Sequence, residues 1–294
     1  AVRERLVSPF FWREFLRAGV LVFAGGGRYG YGTWRRIALL ALLAEFLGKS
    51  VVFRGVGAYP YEWVGRPVVS DRPAPFRGLT GALVRLALNR ASVVTVRDAY
   101  SYAVLRLTGV KRVFIEDDLA FRLRVPEPSA CRDLAVRFGL VGGGVLGVNL
   151  RTLDDVTNGV VVDFVAGLIR RYMVEGVLSK VVFIPFGFGS FADRFFDDDL
   201  IIARLLRSRV PELRIITEEL NPLQVLCLFN YFDHVIAMRH HAIIFALKAK
   251  KPLTAIIYDT KSIELLRSLV RRGLVSSVDI YVVDRRGIKH AEAL

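Results

Sequence analysis

The chain has 294 residues, of which 53% are apolar, and carries a formal net charge of +14 at pH 7. This length and apolar content indicate a globular protein with one large core or, more in keeping with its size, two domain cores. No stretch approaches the roughly 18 to 20 uninterrupted apolar residues that span a bilayer, so no transmembrane helix is expected. The apolar segment 10–17 carries charges and lacks a cleavage pattern, which excludes a signal peptide and predicts a cytoplasmic location.

The basic excess favours acidic partners, namely phosphorylated substrates, an anionic lipid surface that carries a glycan acceptor, or nucleic acid. The basic residues are spread along the chain without a recognition helix or zinc framework, so nucleic-acid binding is not predicted. Abundant charge with few Asn, Gln, Met and Cys residues is typical of a heat-adapted protein. Cys131 and Cys227 share no metal-binding spacing and lie in apolar surroundings, which predicts free buried thiols rather than a disulfide.

Apolar runs of strand length alternate with amphipathic stretches of helix length in the first half of the chain, as in parallel sheets covered by helices. The predicted strands and helices, in chain order, are strand 19–23, helix 33–47, strand 50–56, helix 78–89, strand 92–96, helix 99–107 and strand 112–116. Four prolines exclude regular structure from the segment 57–77. A loop of this length is typical of a lid or a binding loop.

Pro126 and Pro128 predict a domain boundary at 122–129, between an N-terminal domain at 1–125 and a C-terminal domain at 130–294. The second series of predicted elements is helix 131–138, strand 144–150, helix 159–175, strand 180–185, helix 197–208, strand 213–217, helix 222–229, strand 234–238, helix 241–247 and strand 253–258. The sequence therefore predicts an α/β fold of two Rossmann-like domains that face each other across a crevice, a GT-B-like architecture. Its ligands are expected at the carboxyl ends of the strands.

The segment 237–247 follows a predicted strand, opens a predicted helix and contains Arg239, His240 and His241. These groups lie where the backbone N–H groups of a helix N-terminus already favour anions. A site for a phosphorylated or carboxylated ligand is the interpretation we favour. The alternative is that Arg239 caps a neighbouring helix and that the histidines are satisfied core groups.

Two further arginines end predicted strands. Arg151 either binds a carboxylate or phosphate with two parallel hydrogen bonds or pairs with a nearby acid such as Asp154 or Asp155. For Arg97 we favour a structural ion pair, with Asp98 as the N-cap of the next helix and Ser101 in its first turn. The strand ends of the two halves are thus predicted to differ in role.

Glycines follow two predicted strands of the first half. Gly26 and Gly27 belong to a triple glycine, and Gly55 and Gly57 form a second turn. These glycines either allow a ligand to approach the backbone or only turn the chain. The sequence does not distinguish these roles, because a complete dinucleotide-binding fingerprint is absent. Asp118 lies in no Asp-x-Asp loop of the sugar-nucleotide type, so no metal ion is expected.

In this order, these motifs resemble those of the polysaccharide pyruvyl transferase family. The run 237–247 resembles the family's Arg-Leu-His-Ala run, with Arg239 and His241 in matching positions and His240 in place of Leu. The run 257–261 resembles its Tyr-Asp-Pro-Lys run, with Thr260 in place of Pro. The further matches are the triple glycine at 25–27, the Gly-x-Gly-x-x-Pro loop at 55–60, the Val-Arg-Asp-x-x-Ser motif at 96–101 and the Asp-Leu-Ala-Phe run at 118–121.

Members of this family usually begin with a strand and an Asn-x-Gly-Asp turn ahead of the triple glycine. No equivalent is present, so either the N-terminal domain lacks its first strand unit or that unit precedes Ala1. Many relatives carry an acidic residue shortly after the triple glycine, where this chain has Arg28. An acceptor-activating carboxylate is therefore not expected at this position.

The resemblance implies transfer of the pyruvyl group of phosphoenolpyruvate onto two hydroxyls of one sugar, as a cyclic ketal, with release of phosphate. The expected acceptor is a sugar of a surface polysaccharide or lipid-linked glycan on the N-terminal side, with the donor on the C-terminal side and no cofactor. His241 is the predicted acid that protonates the donor's methylene carbon. The predicted substrate-binding residues are Arg239 and Arg151, which would neutralise the donor's carboxylate and phosphate, and His240, Gly26, Gly27 and Lys261.

Two other functions remain open at the level of sequence. The first is a GT-B glycosyltransferase that uses a nucleotide sugar, with Arg239 on the diphosphate. The second is a catalytically silent homologue that acts as a basic scaffold at an anionic membrane, which Arg28 and the absent N-terminal unit favour. The expected location is cytoplasmic, with peripheral contact at the inner face of the membrane.

Overall fold

The structure is a computed structural model, which describes residues 8–26, 30–61, 65–176, 178–189, 194–274, 278–284 and 287–291. The chain divides into two compact units. The first unit consists of Ala1–Val64 and Ser70–Leu119, and the second of Gly65–Val69 and Ala120–Leu294. The short segment Gly65–Val69, from the middle of the predicted loop, thus belongs to the second unit. The division after Leu119 falls just before the predicted boundary at 122–129.

The first unit contains a sheet of four parallel strands, in the order β1-β2-β3-β4. The strands are β1 at Val20–Ala24, β2 at Ser50–Val56, β3 at Val93–Val96 and β4 at Phe114–Ile115. Its helices are Pro9–Arg17, Tyr31–Phe46, Gly78–Arg90 and Ala99–Thr108. Trp34 and Phe53 are fully buried and stack in the core between helix and sheet. The spatial order of the strands follows the chain order, so each strand is added on the same side of the previous one.

The second unit contains a sheet of seven strands, in the order β11-β10-β9-β8-β5-β6-β7. The strands are β5 at Val145–Asn149, β6 at Lys180–Phe183, β7 at Arg214–Ile215, β8 at His234–Ala237, β9 at Leu253–Ile257, β10 at Val278–Asp284 and β11 at Gly287–His290. All neighbours are parallel except β10 and β11. Every residue of β5 and β9 is buried, as expected for parallel strands covered on both faces.

The strand order of the second unit reverses at β5. The chain first builds outward from β5 to β6 and β7, and then returns to place β8, β9 and β10 on the other side of β5. This is the strand order of a Rossmann fold, and β5 and β8 flank its topological switch point. A crevice opens at the carboxyl ends of strands at such a point, because the connections on its two sides run in opposite directions.

Several helices of the second unit start at side-chain caps that the sequence carries. Asp154 accepts a hydrogen bond from the backbone N–H of Thr157, and Asn221 forms a capping box with Gln224. The helices are Arg132–Arg137, Asp155–Val174, Arg194–Asp197, Asp199–Arg207, Pro222–Phe229, His240–Lys248 and Thr260–Arg271, with single 3-10 turns at Leu119–Arg122 and Pro128–Cys131. No helix of the described residues is both long enough and apolar enough to cross a membrane.

The predicted α/β class with two Rossmann-like units is confirmed, and the predicted elements recur in the predicted order. The sequence prediction omitted the helices Pro9–Arg17 and Thr260–Arg271 and the strands β10 and β11. Helix Asp155–Val174 also begins one turn earlier than predicted, because Asp154 caps it there. These differences concern the edges of the two units and leave the central strands unchanged.

The prediction of free thiols was wrong. Cys131 and Cys227 form a disulfide, and their Cα atoms lie 5.4 Å apart. The two cysteines are separated by 96 residues in sequence. The short helix Arg132–Arg137 and the helix Pro222–Phe229 pack against each other, which brings the two sulfurs together. Only this packing reveals the pair, since their spacing matches no local motif.

Candidate functional site

Two arginines follow the strands that flank the switch point of the second unit. Arg151 comes shortly after β5, and Arg239 comes directly after Met238 at the end of β8. The backbone N–H of Arg239 donates to Asn149 Oδ1 (3.1 Å), and that of Arg151 lies 3.4 Å from Met238 Sδ. The two strand ends are therefore tied together. Both arginines thus lie at the carboxyl ends of the strands, the position at which open α/β sheets bind ligands.

Asp199 holds the guanidinium group of Arg239. Nε of Arg239 donates to both carboxylate oxygens of Asp199 (2.9 and 2.8 Å), and Nη2 makes a further bond. Asp199 is fully buried and also accepts from the backbone N–H groups of Phe186 (2.9 Å) and Gly187 (3.1 Å). An ideal Cβ on Gly187 would come within 2.7 Å of Arg239 Nη2. Only glycine therefore fits beside this ion pair.

Burial and charge act in opposite directions on this pair. Burial raises the pKa of Asp199, and Arg239 together with the two N–H donors only partly opposes that shift. Burial lowers the pKa of Arg239, but the charge of Asp199 outweighs it, and the pKa of Arg239 lies above its usual value. Arg239 is thus a fixed cation whose position is set by Asp199.

Asp197 lies next to both arginines. Its Oδ1 atom is 3.6 Å from Nη2 of Arg151 and 4.0 Å from Nη1 of Arg239. Nη1 of Arg151 donates to the hydroxyl oxygen of Tyr258 (3.0 Å). The acid that Arg151 approaches is therefore Asp197 and not Asp154, which caps the helix Asp155–Val174. The structure brings the two predicted arginines to one carboxylate oxygen.

The two histidines occupy different environments at the start of the helix His240–Lys248. His240 is buried, with 5% of its surface exposed, whereas His241 is exposed. Their ring centroids are 5.5 Å apart and the ring planes differ by 74°. Arg239 is the N-cap residue of this helix, and its side chain makes no capping hydrogen bond there. Its guanidinium group bonds to Asp199 instead.

Lys261 lies in the first turn of the helix Thr260–Arg271, which follows the neighbouring strand β9. Its Nζ atom is 3.0 Å from Asp259 Oδ2 and 5.9 Å from the centroid of the Tyr258 ring. Burial raises the pKa of Asp259, but Lys261, the side chain of Ser262 and His240 together lower it below its usual value. Asp259 is therefore a carboxylate that neutralises Lys261.

The segment Gly65–Val69 lies alongside this strand end. The N–H of Val68 donates to the carbonyl oxygen of Tyr258 (2.8 Å), and the N–H of Thr260 donates to that of Val68 (3.0 Å). The carbonyl oxygen of Gly65 accepts from the N–H of Asp154 (2.9 Å). Part of the predicted binding loop thus touches both strand ends that carry Arg151 and Lys261.

A cavity of about 270 Å³ opens beside His241. Its walls are mostly apolar, and its polar lining residues are Glu219 and His241. The aromatic residues that line it are Phe186, Phe188 and Phe245. The sequence did not predict this cavity, because its walls come from four separate segments of the second unit.

The predicted glycine site belongs to the first unit. Gly26 has a φ of +89°, and its carbonyl oxygen accepts from the N–H of Gly57 (3.0 Å). An ideal Cβ on Gly57 would lie 2.5 Å from Cε2 of the buried Tyr59 ring and 3.2 Å from that oxygen, so a side chain here would displace Tyr59. Gly27 lies outside the described residues. Of the two roles that the sequence left open for Gly57, this contact favours the structural one.

The structural role predicted for Arg97 and Asp98 is confirmed. Arg97 Nη1 donates to Asp118 Oδ2 (3.0 Å), and Nε lies 3.8 Å from Asp98 Oδ2. The carboxylate of Asp98 accepts from the N–H of Ser101 and caps the helix Ala99–Thr108. Asp98 also accepts from the hydroxyl of Tyr59. All of these groups are buried in the first unit.

The sequence analysis missed three residues of the site, namely Asp197, Asp199 and Tyr258. The run Asp197-Asp198-Asp199 before an apolar helix was a visible signal, and Tyr258 precedes the family-like Asp259. Asp199 is 40 residues from Arg239 in the chain, and Tyr258 is 107 residues from Arg151. Within the described residues, no three His, Cys, Asp or Glu side chains gather as they would to bind a metal ion.

Two sheets wrapped by helices, one of them with cationic side chains at a Rossmann switch point, define an α/β protein of two Rossmann-like units. The comparison with family models identifies the family. Residues 3–260 match the model of polysaccharide pyruvyl transferase, and the chain belongs to this family. No curated protein matches the sequence significantly.

Solved structures resemble this chain in fold. UDP-GlcNAc 2-epimerase from Methanocaldococcus jannaschii, in complex with UDP-GlcNAc and UDP, is 14% identical with a TM-score of 0.54, over 94% of this chain and 73% of the epimerase. Anabaena Alr3699/HepE in complex with UDP-glucose is 12% identical with a TM-score of 0.51, over 97% of this chain and 70% of HepE. At these identities the likeness supports the fold alone.

Proposed function

We propose that the protein transfers the pyruvyl group of phosphoenolpyruvate to a sugar of a surface polysaccharide or lipid-linked glycan. The product is a cyclic ketal across two hydroxyls, and phosphate is released. One observation carries this proposal: Arg151 and Arg239, from the two strands that flank the switch point, both approach Oδ1 of Asp197. Two guanidinium groups that meet at one anionic atom suit a small donor with two anionic groups.

The donor's carboxylate and phosphate would compete with Asp197 for these cations. The bond of Nε and Nη2 to Asp199 leaves Nη1 as the part of Arg239 that faces Asp197. The N-terminus of the helix His240–Lys248 adds backbone N–H groups of the kind that bind phosphate. Phosphate departs more easily when its developing charge is neutralised by such fixed groups.

His241 is the proposed proton donor. Protonation of the methylene carbon of phosphoenolpyruvate makes C2 cationic, and a sugar hydroxyl then adds to C2 and loses its own proton. The second hydroxyl replaces the phosphate, which completes the ketal. His241 is exposed at the helix start that follows Arg239, whereas His240 is buried against it. An imidazole titrates near neutral pH, so the exposed ring suits an acid in this step.

The test is incubation of the purified protein with phosphoenolpyruvate and a panel of glycans, with phosphate release and acceptor mass as readouts. We expect stoichiometric phosphate and a mass gain of one pyruvyl ketal on one acceptor. Arg151→Lys should weaken donor affinity by about tenfold, because an ammonium group cannot make two parallel bonds. The exposed Arg77→Lys is the matched control and should match the parent. Binding of phosphoenolpyruvate that is unaffected by Arg151→Lys would contradict the assigned site.

A second candidate is glycosyl transfer from a nucleotide sugar. The apolar cavity beside His241 favours it, since phosphoenolpyruvate has no group that would fill three aromatic walls, whereas a nucleobase does. The structures of similar fold contain UDP, UDP-glucose or UDP-GlcNAc. Release of a nucleoside diphosphate in the absence of phosphoenolpyruvate would favour this candidate over pyruvyl transfer.

A further inference from the structure

Exposed apolar side chains gather at one edge of the first unit, at the amino ends of β1 and β2. Leu16 is 62% exposed at the end of the helix Pro9–Arg17, and Phe46 is 85% exposed at the end of the helix Tyr31–Phe46. Leu47, which follows it, is 44% exposed. A phenylalanine exposed to this degree and followed by an exposed leucine indicates a surface that another apolar phase covers.

Hydrogen bonds show that these residues belong to one edge. Lys49 Nζ donates to the carbonyl oxygens of Leu16 (3.0 Å) and Ala18 (2.7 Å), which ties the end of the first helix to the turn after Phe46. A groove of about 200 Å³ lies at the same place, lined by Phe11, Phe15, Val20 and Leu21 with Glu14 and Lys49. The exposed side chains and the groove thus form one continuous feature.

The charge of this edge is basic. Its two acidic residues are each paired with an arginine, Glu14 with Arg13 (2.9 Å) and Glu45 with Arg90 (3.0 Å). Arg17 and Lys49 therefore give the edge a net positive charge, in a chain whose net charge is +14. Two copies of such a surface repel each other, whereas an anionic lipid surface attracts it.

We propose that this edge binds the surface of an anionic lipid bilayer; we call it the membrane edge and define it by Leu16, Arg17, Phe46, Leu47 and Lys49. Phe46 and the two leucines enter the boundary between head groups and acyl chains, as the apolar face of an interfacial helix does. Arg17 and Lys49 lie at the level of the anionic head groups. The site in the second unit plays no part in this interaction, so the inference is independent of the proposed reaction.

The test is co-sedimentation of the full chain with vesicles of phosphatidylcholine alone or mixed with phosphatidylglycerol. The parent protein should bind the mixed vesicles, bind neutral vesicles more weakly, and dissociate as salt is added. Phe46→Asp should lower the partition coefficient at least about tenfold, and Arg17→Glu should lower it severalfold on mixed vesicles only. Val174→Asp, at an 86% exposed position of the second unit, is the matched control and should bind like the parent.

Two results would overturn the inference. One is equal binding by the parent, Phe46→Asp and Val174→Asp, which would place any vesicle contact elsewhere. The other is a failure of the parent to bind mixed vesicles, together with a dimer in sedimentation velocity that Phe46→Asp dissociates. That outcome would assign the edge to a second copy of the chain. Circular dichroism of each variant confirms that it has folded before its binding is compared.

Discussion

Both units place an arginine between a buried strand and a helix, but the two arginines lie in different surroundings. The side chain of Arg97 is 3% exposed, lies between Asp118 and Asp98, and precedes a helix that Asp98 caps. The side chain of Arg239 is 14% exposed, and the helix after it begins without a side-chain cap among the described residues. The first arrangement is closed, and the second leaves a guanidinium edge and a helix N-terminus next to each other.

Sheet topology accounts for this difference. In the first unit the described strands follow one another in spatial order, so the Arg97 strand end is covered by the neighbouring connection and by Asp118. In the second unit the order reverses between β5 and β8, and the connections diverge where Arg151 and Arg239 emerge. The same local pattern of strand, arginine and helix therefore stabilises one unit and forms a candidate ligand site in the other.

The largest effect is expected from the exposed histidine of the second unit. His241→Gln should retain donor binding and lower turnover by about 10² to 10⁴-fold, the usual contribution of a general acid. His240→Leu places the residue common in the family at a buried position and should be tolerated. Steady-state turnover and phosphoenolpyruvate affinity of both variants are the measurements. Equal losses, or a greater loss for His240→Leu, would assign the acid to the other imidazole.

The buried ion pairs of Arg97 in the first unit predict a large effect on stability. Arg97→Met leaves Asp118 and Asp98 buried without their cation, and should lower the free energy of unfolding by about 3–5 kcal/mol. Urea unfolding followed by circular dichroism measures this change. Arg77→Met, at an exposed position of the same unit, should stay within about 0.5 kcal/mol of the parent. A loss below about 1 kcal/mol for Arg97→Met would mean that Arg97 does not stabilise the first unit, and that its role does not differ from that of Arg239 in this way.

Gly187 tests how closely the second unit packs around its cation. A Cβ there would collide with the carbonyl oxygen of Asp197 and lie 2.7 Å from Arg239 Nη2. Gly187→Ala should therefore cost about 1–3 kcal/mol of stability and weaken donor binding through the displaced guanidinium group. Gly159→Ala, where nothing lies within 4 Å, is the control and should stabilise its helix by about 0.5–1 kcal/mol. Unchanged donor affinity in Gly187→Ala would show that this packing does not position Arg239.

The smallest effect is expected from Asp197, the carboxylate that both Arg151 and Arg239 approach. Asp197→Asn removes the competing charge and should raise the affinity for inorganic phosphate by up to about tenfold. Calorimetric titration with phosphate and with phosphoenolpyruvate measures the change. Asp163→Asn breaks an exposed pair with Arg209 and should leave both affinities unaltered. Weaker phosphate binding in Asp197→Asn would mean that Asp197 supports the ligand site instead of occupying it.

The sequence by itself determined the α/β class and most central elements. The prediction of a strand at 50–56 and a helix at 222–229 agrees with β2 and with Pro222–Phe229, because buried strands and capped helices carry local signals of apolar period, proline and glycine. The strand-end positions of Arg151 and Arg239 were visible for the same reason. The order of the motifs along the chain was sufficient to indicate the family.

Only the tertiary structure decided which charges meet. Asp199 lies 40 residues from Arg239, and Tyr258 lies 107 residues from Arg151, so neither partner has a signal at local spacing. The disulfide joins Cys131 and Cys227 across 96 residues and was mispredicted for this reason. The switch point depends on the order in which the strands pair. No local sequence pattern specifies that order. Pairing of distant segments therefore made Arg97 structural and left Arg239 at the carboxyl edge of β8, beside the candidate ligand site.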